Sequence, residues 1–432
     1  MRVVVVGAGL AGLAATCGLA EQGCEVILVE RGRLLGGKAT SFTVDGVEVD
    51  NGQHVHLGCC REYIDFVAAL GLSEWLWIQP RFEVTVLRRN ARPSRLRAGR
   101  GGPAALRLLP SFAAYAPLGP MAKVQVARGL RAAAHPPRGE ETFDAWLRRH
   151  GQGRAAIEGF WELFVVPALN ARIDEVSAAD ALFVVRTALA GDPDEARIGW
   201  SRVPLARIAE AAAQRAAAVQ LRTGVVSLLD DGEVVRGVRC ADGGEIAADA
   251  VVLAVPPARL ATILGDPARY GVNGLDLFRT RAIVDVHLWF DTARGGSGFA
   301  AVIGSPVQWV FEKQPGYLCC SLSAADTLVG WPETDLVELC RTELAAVWPQ
   351  LASAPLLRGA ATRDPEATFI PSPGLHRPGP ATTRPNLVIA GAWTATGWPA
   401  TMESAVRSGR EAARTLPGPS RAAPRSLEAV HG

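Results

Sequence analysis

Val3 to Val6 form an uninterrupted apolar run that stops at Gly7, the pattern of a strand buried on both faces of a parallel sheet. An alanine-rich stretch from Leu13 to Gln22 predicts a helix, Gly23 ends it, and Glu25 to Val29 predicts a second strand. Ser41 to Val44 reads as a short strand. Further along, Gln220 to Val226 predicts a strand, and Glu233 to Cys240 with Gly244 to Ala247 a hairpin across Asp242-Gly243. Asp249 to Val255 predicts a buried strand stopped by Pro256-Pro257, and from Asn386 onward come a buried strand, a glycine-rich turn and a helix beginning near Thr401. Residues 61–206 are mostly helical in pattern, whereas 266–382 carries strands such as Ala282 to Phe290.

Val3 to Ala20 is free of charge and long enough to suggest a signal peptide or a membrane span. Its four glycines at loop-forming spacing, followed by Glu21, Glu25 and Glu30, argue against both. With 432 residues, 49% of them hydrophobic and 20% charged, the chain is long enough for two or three ordinary globular domains. The net charge of +2 carries no field of the kind that marks a nucleic-acid binder. It is unevenly spread: Arg81 to Arg138 holds twelve Lys or Arg against one acid, Glu83. Eight cysteines without a C-x-x-C fit a reducing, cytoplasmic setting, and no zinc-ligand cluster or Ser/His/Asp order stands out.

The turn after the first strand, Gly7-Ala8-Gly9-Leu10-Ala11-Gly12, is G-x-G-x-x-G in the strand-turn-helix context that gives it meaning. Gly7 permits the tight turn, Gly9 lets backbone approach a diphosphate at the helix N-terminus, and Gly12 lets helix and strand pack closely. Glu30 closes the second strand, where a carboxylate accepts hydrogen bonds from a ribose. A dinucleotide site follows. Arg31 comes next, and Gly36-Gly37-Lys38 adds a second turn whose N–H groups and cation suit a diphosphate.

On these residues the chain resembles the flavin amine oxidase and carotenoid desaturase superfamily, which implies FAD as the cofactor. The implied fold is α/β, an FAD-binding Rossmann-like domain of the glutathione-reductase/amine-oxidase type with an interleaved α+β substrate domain. The resemblance implies a backbone contact to adenine at Val225, a turn along the ribityl chain at Gly391-Ala392, and helix-start N–H groups at Thr401 and Met402 facing the flavin. The family has Gly-Asp where this chain has Gly391-Ala392, so a charge-assisted hydrogen bond worth about 1.5–3 kcal/mol is expected to be missing.

Asp50 to Tyr63, Phe160 to Asn170, Asp174 to Ala178 and Thr396 to Thr401 further resemble the hydroxysqualene dehydroxylases. That implies reduction of a C30 isoprenoid alcohol, hydroxysqualene, by reduced FAD, in squalene and hopanoid synthesis, with a reductant the sequence does not identify. It also implies an FAD domain built from about 1–60, 207–265 and 383–416, and a substrate domain from 61–206 and 266–382. His54 is the candidate for a polar catalytic group near the flavin, with Asp50 and Gln53 as positioning candidates; the proton donor stays open. The tail 417–432 is expected to be disordered. The arginine-rich segment 81–138 is expected to dock on an anionic membrane surface, at the inner face of the cell membrane. Two alternatives stand beside this reading: a phytoene-type desaturase or isomerase, and a non-redox prenyl-lipid or protein binding protein of the same fold.

Overall fold

A computed structural model describes residues 1–44, 46–101, 106–291 and 298–418. Its first layer is a five-stranded parallel sheet in the order Ala218–Gln220, Glu25–Val29, Arg2–Val6, Ala250–Leu253, Leu387–Ile389. The central strand is buried on both faces, and its side chains divide by alternation. Val3 and Val5 pack among the helices Leu10–Glu21 and Met402–Thr415, whereas Val4 and Val6 pack against Val225, Val235 and Val238 of an antiparallel meander. The meander is Val225–Asp230, Val235–Cys240 and Glu245–Ala247. The two helices approach closely because small residues face each other: a Cβ on Gly409 would lie 2.1 Å from the Ala11 carbonyl oxygen.

Two boundaries differ from the sequence expectation. The first helix starts at Leu10 rather than Leu13, since Gly12 lies within its first turn against the Gly7 carbonyl. The expected strand Gln220–Val226 is two strands in two sheets. Ala218–Gln220 pairs with Glu25–Val29, then the chain turns through Arg222 at positive φ, tied by Arg222 N–H to the Gly32 carbonyl and Thr223 N–H to the Glu30 carbonyl.

The second layer is a seven-stranded mixed sheet, ordered Leu356–Phe369, Thr280–Phe290, Tyr317–Leu322, Trp309–Gln314, Phe299–Ile303, Glu83–Arg88, Ser94–Arg97. The last two strands come from the segment read as mostly helical, and they join through a parallel pairing of Glu83–Arg88 with Phe299–Ile303. Helices Pro120–Ala132, Phe143–Arg149, Glu162–Leu169 and Ala178–Val185 close over that end with a core including Phe143, Trp146, Trp161 and Leu182. Asn170 ends the third of these in the left-handed conformation. Its amide donates to the Arg281 carbonyl and Thr368 Oγ1 and accepts from Ala324 N–H, fixing the helix to the sheet. The tail expected to be disordered falls on 417–432, and 419–432 lie outside the described residues.

Candidate active site

A cavity of about 860 Å³ runs between the two layers. Of the residues singled out from sequence, Gly7, Gly9, Leu10, Ala11, Glu30, Arg31, Gly36, Gly37, Lys38, His54, Val225, Gly391, Ala392, Thr401 and Met402 line it, while Ala8 and Gly12 sit just behind. The glycines form a cradle. Gly7 and Gly36 have φ of +102° and +96°, and a Cβ on either would strike a backbone oxygen at 2.4 and 2.3 Å. Gly12 would strike the Gly7 oxygen at 1.9 Å, but a Cβ on Gly9 meets nothing within 4 Å. Gly9 is therefore free of side-chain obstruction on its cavity side only because it is glycine. It is also the N-cap of Leu10–Glu21, whose first turn has no side-chain cap and no acid, so its N–H groups are available to an anion. These residues fit the diphosphate of FAD.

Glu30 stands at the strand end, with one carboxylate oxygen accepting from Ala8 N–H at 2.8 Å and the other from Gly32 N–H at 2.7 Å. Val225 offers its carbonyl to Arg259, a cavity-lining guanidinium not singled out from sequence. Lys38, also on the cavity wall, has its ammonium bound to Asp364 at 2.9 Å and to the Glu366 carbonyl, on the seven-stranded sheet. At the closing turn, Arg377 reaches up from the Pro-rich stretch and donates to the carbonyls of Ala392 at 2.8 Å, Trp393 at 3.1 Å and Trp398 at 2.6 Å. Burial lowers its pKa to about 10, so it remains a cation at neutral pH. Thr401 caps the helix Met402–Thr415 through Ser404 N–H. Glu403, 1% exposed, accepts from the N–H groups of Glu62 and Tyr63 and pairs with Arg407.

The family model for "Flavin containing amine oxidoreductase" matches residues 10–417. The chain belongs to that family. It is accordingly an FAD-dependent oxidoreductase, which sets aside the non-redox alternative. Within the family it is 32% identical to a hydroxysqualene dehydroxylase of Rhodopseudomonas palustris and 30% identical to one of Sinorhizobium fredii, each alignment covering 95% of this chain and 97% of the relative. It is 24% identical to a 15-cis-phytoene desaturase of Synechococcus elongatus, covering 96% of both chains. Among solved structures it shares the fold of putrescine oxidase bound to putrescine (TM-score 0.72, 18% identity, 96% of this chain and 98% of that one). It also shares that of cyclohexylamine oxidase from Brevibacterium oxydans (TM-score 0.68, 19% identity, 96% and 98%).

Beyond the cradle, the cavity of this flavin oxidoreductase turns apolar, walled by Phe82, Phe164, Phe183, Ile198, Trp309 and Phe311. A small polar group borders it. Burial would raise the pKa of Asp50, but Lys313 at 2.6 Å, with Leu205 N–H and the Ser41 hydroxyl, holds it below the usual carboxylate range. His54 lies in the loop between the strands Val47–Asp50 and Val55–Leu57. Burial lowers its pKa, and its ring donates to the Lys38 carbonyl. His56 packs on Tyr63, and burial takes its pKa to about 4. Asp285, absent from the sequence candidates, also lines the cavity. The available signal is its position: it interrupts an apolar run, Ala282 to Phe290, that alternates toward two buried faces.

Proposed function

We propose that this enzyme replaces the hydroxyl of hydroxysqualene with hydrogen, giving squalene. The observation that carries the reading is the likeness, over nearly the whole of both chains, to two hydroxysqualene dehydroxylases. When bound, reduced FAD supplies the hydride. This chain's part is to seat the diphosphate on the Gly7–Gly12 turn, hold the flavin end under the Gly391–Trp398 turn that Arg377 braces, and enclose an isoprenoid among Phe82, Phe164, Phe183 and Phe311. An apolar enclosure suits an allylic alcohol that ionises, because it keeps bulk water from the cation. Anaerobic incubation of the FAD-loaded enzyme with dithionite and hydroxysqualene yields squalene, read by gas chromatography and mass spectrometry; no squalene from demonstrably loaded enzyme overturns the reading. The second reading, desaturation or isomerisation of a phytoene-type polyene, is supported by the 24% likeness to a phytoene desaturase, and appearance of a coloured polyene from phytoene would favour it.

The substrate's insolubility favours collection from a membrane, and we place the enzyme at the cytoplasmic face of the cell membrane, served by a reductant yet to be identified. No helix among the described residues is long and apolar enough to cross a bilayer. Leu106, Leu109, Met121 and Val124 are exposed at 54%, 52%, 71% and 46%, an apolar group beside the helices Leu109–Ala113 and Pro120–Ala132. The arginines around them offer less charge than their number suggests. Arg95 and Arg97 share Glu83 with Arg81, Arg89 pairs with Glu343, and Arg107 with Asp192 and Asp194. Docking on this reading depends on the apolar side chains first, with Arg88, Arg92 and Arg100 as the supporting cations.

A further inference from the structure

We propose that Asp285 is the catalytic acid that protonates the substrate hydroxyl as it leaves; the assignment rests on the hydroxysqualene reading and names the proton donor that reading requires. Asp285 lies in the middle of Thr280–Phe290, in register with Ser321 on one side and Thr362 on the other. Val284, Val286 and Leu288 face an apolar core, while Ile283 and Asp285 point the other way and line the cavity. The carboxyl is 3% exposed. It accepts from Gln53 N–H at 3.3 Å and from the Ser321 side chain. It reaches this place because residue 52 has no side chain: a Cβ on Gly52, whose φ is +133°, would lie 2.4 Å from Asp285 Oδ2.

The other carboxyls on the cavity are committed. Asp364 is paired with Lys38, Glu403 with Arg407 and two N–H groups, and Glu30 with two N–H groups; Glu366 is exposed. His54 already donates to a carbonyl, and burial lowers its pKa. Among the described residues Asp285 has no ion-pair partner. Lys313 is tied to Asp50; Cys319 and Tyr317 are pushed upward by burial, Cys320 by its hydrogen bond with Cys340 and by burial, and His287, on the same face of the strand, is lowered by burial to about 4, so these four groups are neutral. Burial raises Asp285 itself to about 6 against those hydrogen bonds, so a protonated fraction persists near neutral pH.

Transfer of the Asp285 proton to the alcohol oxygen breaks the C–O bond, both its electrons leaving with water. The allylic cation takes a hydride from the two-electron-reduced flavin already required, and a solvent proton restores Asp285. The test is single turnover of FAD-loaded, dithionite-reduced enzyme with hydroxysqualene, followed by flavin absorbance and by squalene formed. The wild-type rate falls about tenfold per pH unit above the acid's pKa, and Asp285→Asn lowers it by a factor of about 10² or more while binding FAD normally. The formate ester of the same alcohol, whose leaving group needs no proton, restores the variant to within about threefold of wild type. A structural role would not give that rescue. An Asp285→Asn enzyme that reduces the alcohol at the wild-type rate with the wild-type pH profile, or that is equally slow on the ester, overturns the assignment. If Asp285→Asn takes up no FAD, Asp285→Glu decides: a pH-dependent rate with a displaced midpoint supports the acid, and a pH-independent rate overturns it. Wild-type enzyme that forms no squalene overturns the substrate reading, and this assignment with it.

Discussion

The same carboxyl makes a prediction about stability that involves no substrate. Its pKa is about 6 in the folded chain, against 3.8 for an ordinary aspartate, because burial penalises the anion more than Ser321 and Gln53 N–H relieve it. The sign follows from proton binding: between pH 3.8 and about 6 the folded state holds the proton more tightly than the unfolded state. The stability this residue confers is thus fully present below that window and is lost as pH rises through it. A shift of about two units corresponds to about 3 kcal/mol lost by pH 8. Asp285→Asn keeps the shape and cannot ionise, so the loss should vanish. Urea unfolding of both proteins at pH 5 and pH 8, with FAD in the same excess so that cofactor linkage cancels, gives the double difference. The variant's advantage is expected to grow by about 1.4 kcal/mol between the two pH values, the rest of the loss lying below pH 5. Parallel curves, or a variant that loses ground at pH 8, would show that the carboxyl is not buried and unpaired in the way described.

Gly9→Ala is expected to leave the melting temperature of the apo-protein unchanged or slightly raised, since φ of −72° suits alanine and nothing lies near the new Cβ, yet to weaken FAD binding at least about tenfold by obstructing the diphosphate. Gly12→Ala should lose both, because its Cβ would overlap the Gly7 oxygen; flavin titration and calorimetry separate the two cases. Arg377→Met strips a cation from three carbonyls of the closing turn and should cost about 3 kcal/mol or more of stability along with flavin retention, measured by denaturation and absorbance. Replacing Leu109, Met121 and Val124 together by Ser should abolish pelleting with anionic vesicles, each apolar side chain being worth about 1.5–3 kcal/mol when buried. Pelleting that survives this change but is released by salt would put the docking on the arginines instead.

What the sequence made legible were features whose meaning is local. A strand buried on both faces is a plain apolar run, as at Val3 to Val6, and a turn that only glycine can make keeps its glycines at fixed spacing. The strands Glu83–Arg88 and Ser94–Arg97 were hidden for the opposite reason. Ser94–Arg97 alternates with arginine on its outer face, Glu83–Arg88 is a short run flanked by charges, and only pairing with Phe299–Ile303, some two hundred residues on, makes them part of a sheet. The break at Leu221–Gly224 depends on hydrogen bonds to Glu30 and Gly32 and has no glycine or proline at its pivot, Arg222. Asp285 and Arg377 take their roles from partners far along the chain, Gly52 and Gln53 for one, and the carbonyls of 392, 393 and 398 for the other. Lys38 likewise has a partner its motif does not reveal, Asp364 on the other sheet.

The charge arrangement bears on which kind of acid the proposed reaction can use. The lysines on and beside the cavity are neutralised in pairs, Lys38 with Asp364 and Lys313 with Asp50, so neither adds net positive charge where an allylic cation would form. A cationic acid such as histidinium would bring one positive charge into the apolar lobe and leave another there after proton transfer, with no counter-charge at any stage. A neutral carboxylic acid enters uncharged and becomes an anion only as the cation appears. At a separation of about 5 Å and an effective dielectric constant of about 20, that ion pair is worth about 3 kcal/mol, supplied when the C–O bond breaks and not before. The energetic cost of keeping Asp285 buried above pH 6 is thus comparable to the stabilisation it offers the transition state. Asp285→Asn should therefore gain stability and lose activity together, a pairing that a purely structural residue does not produce.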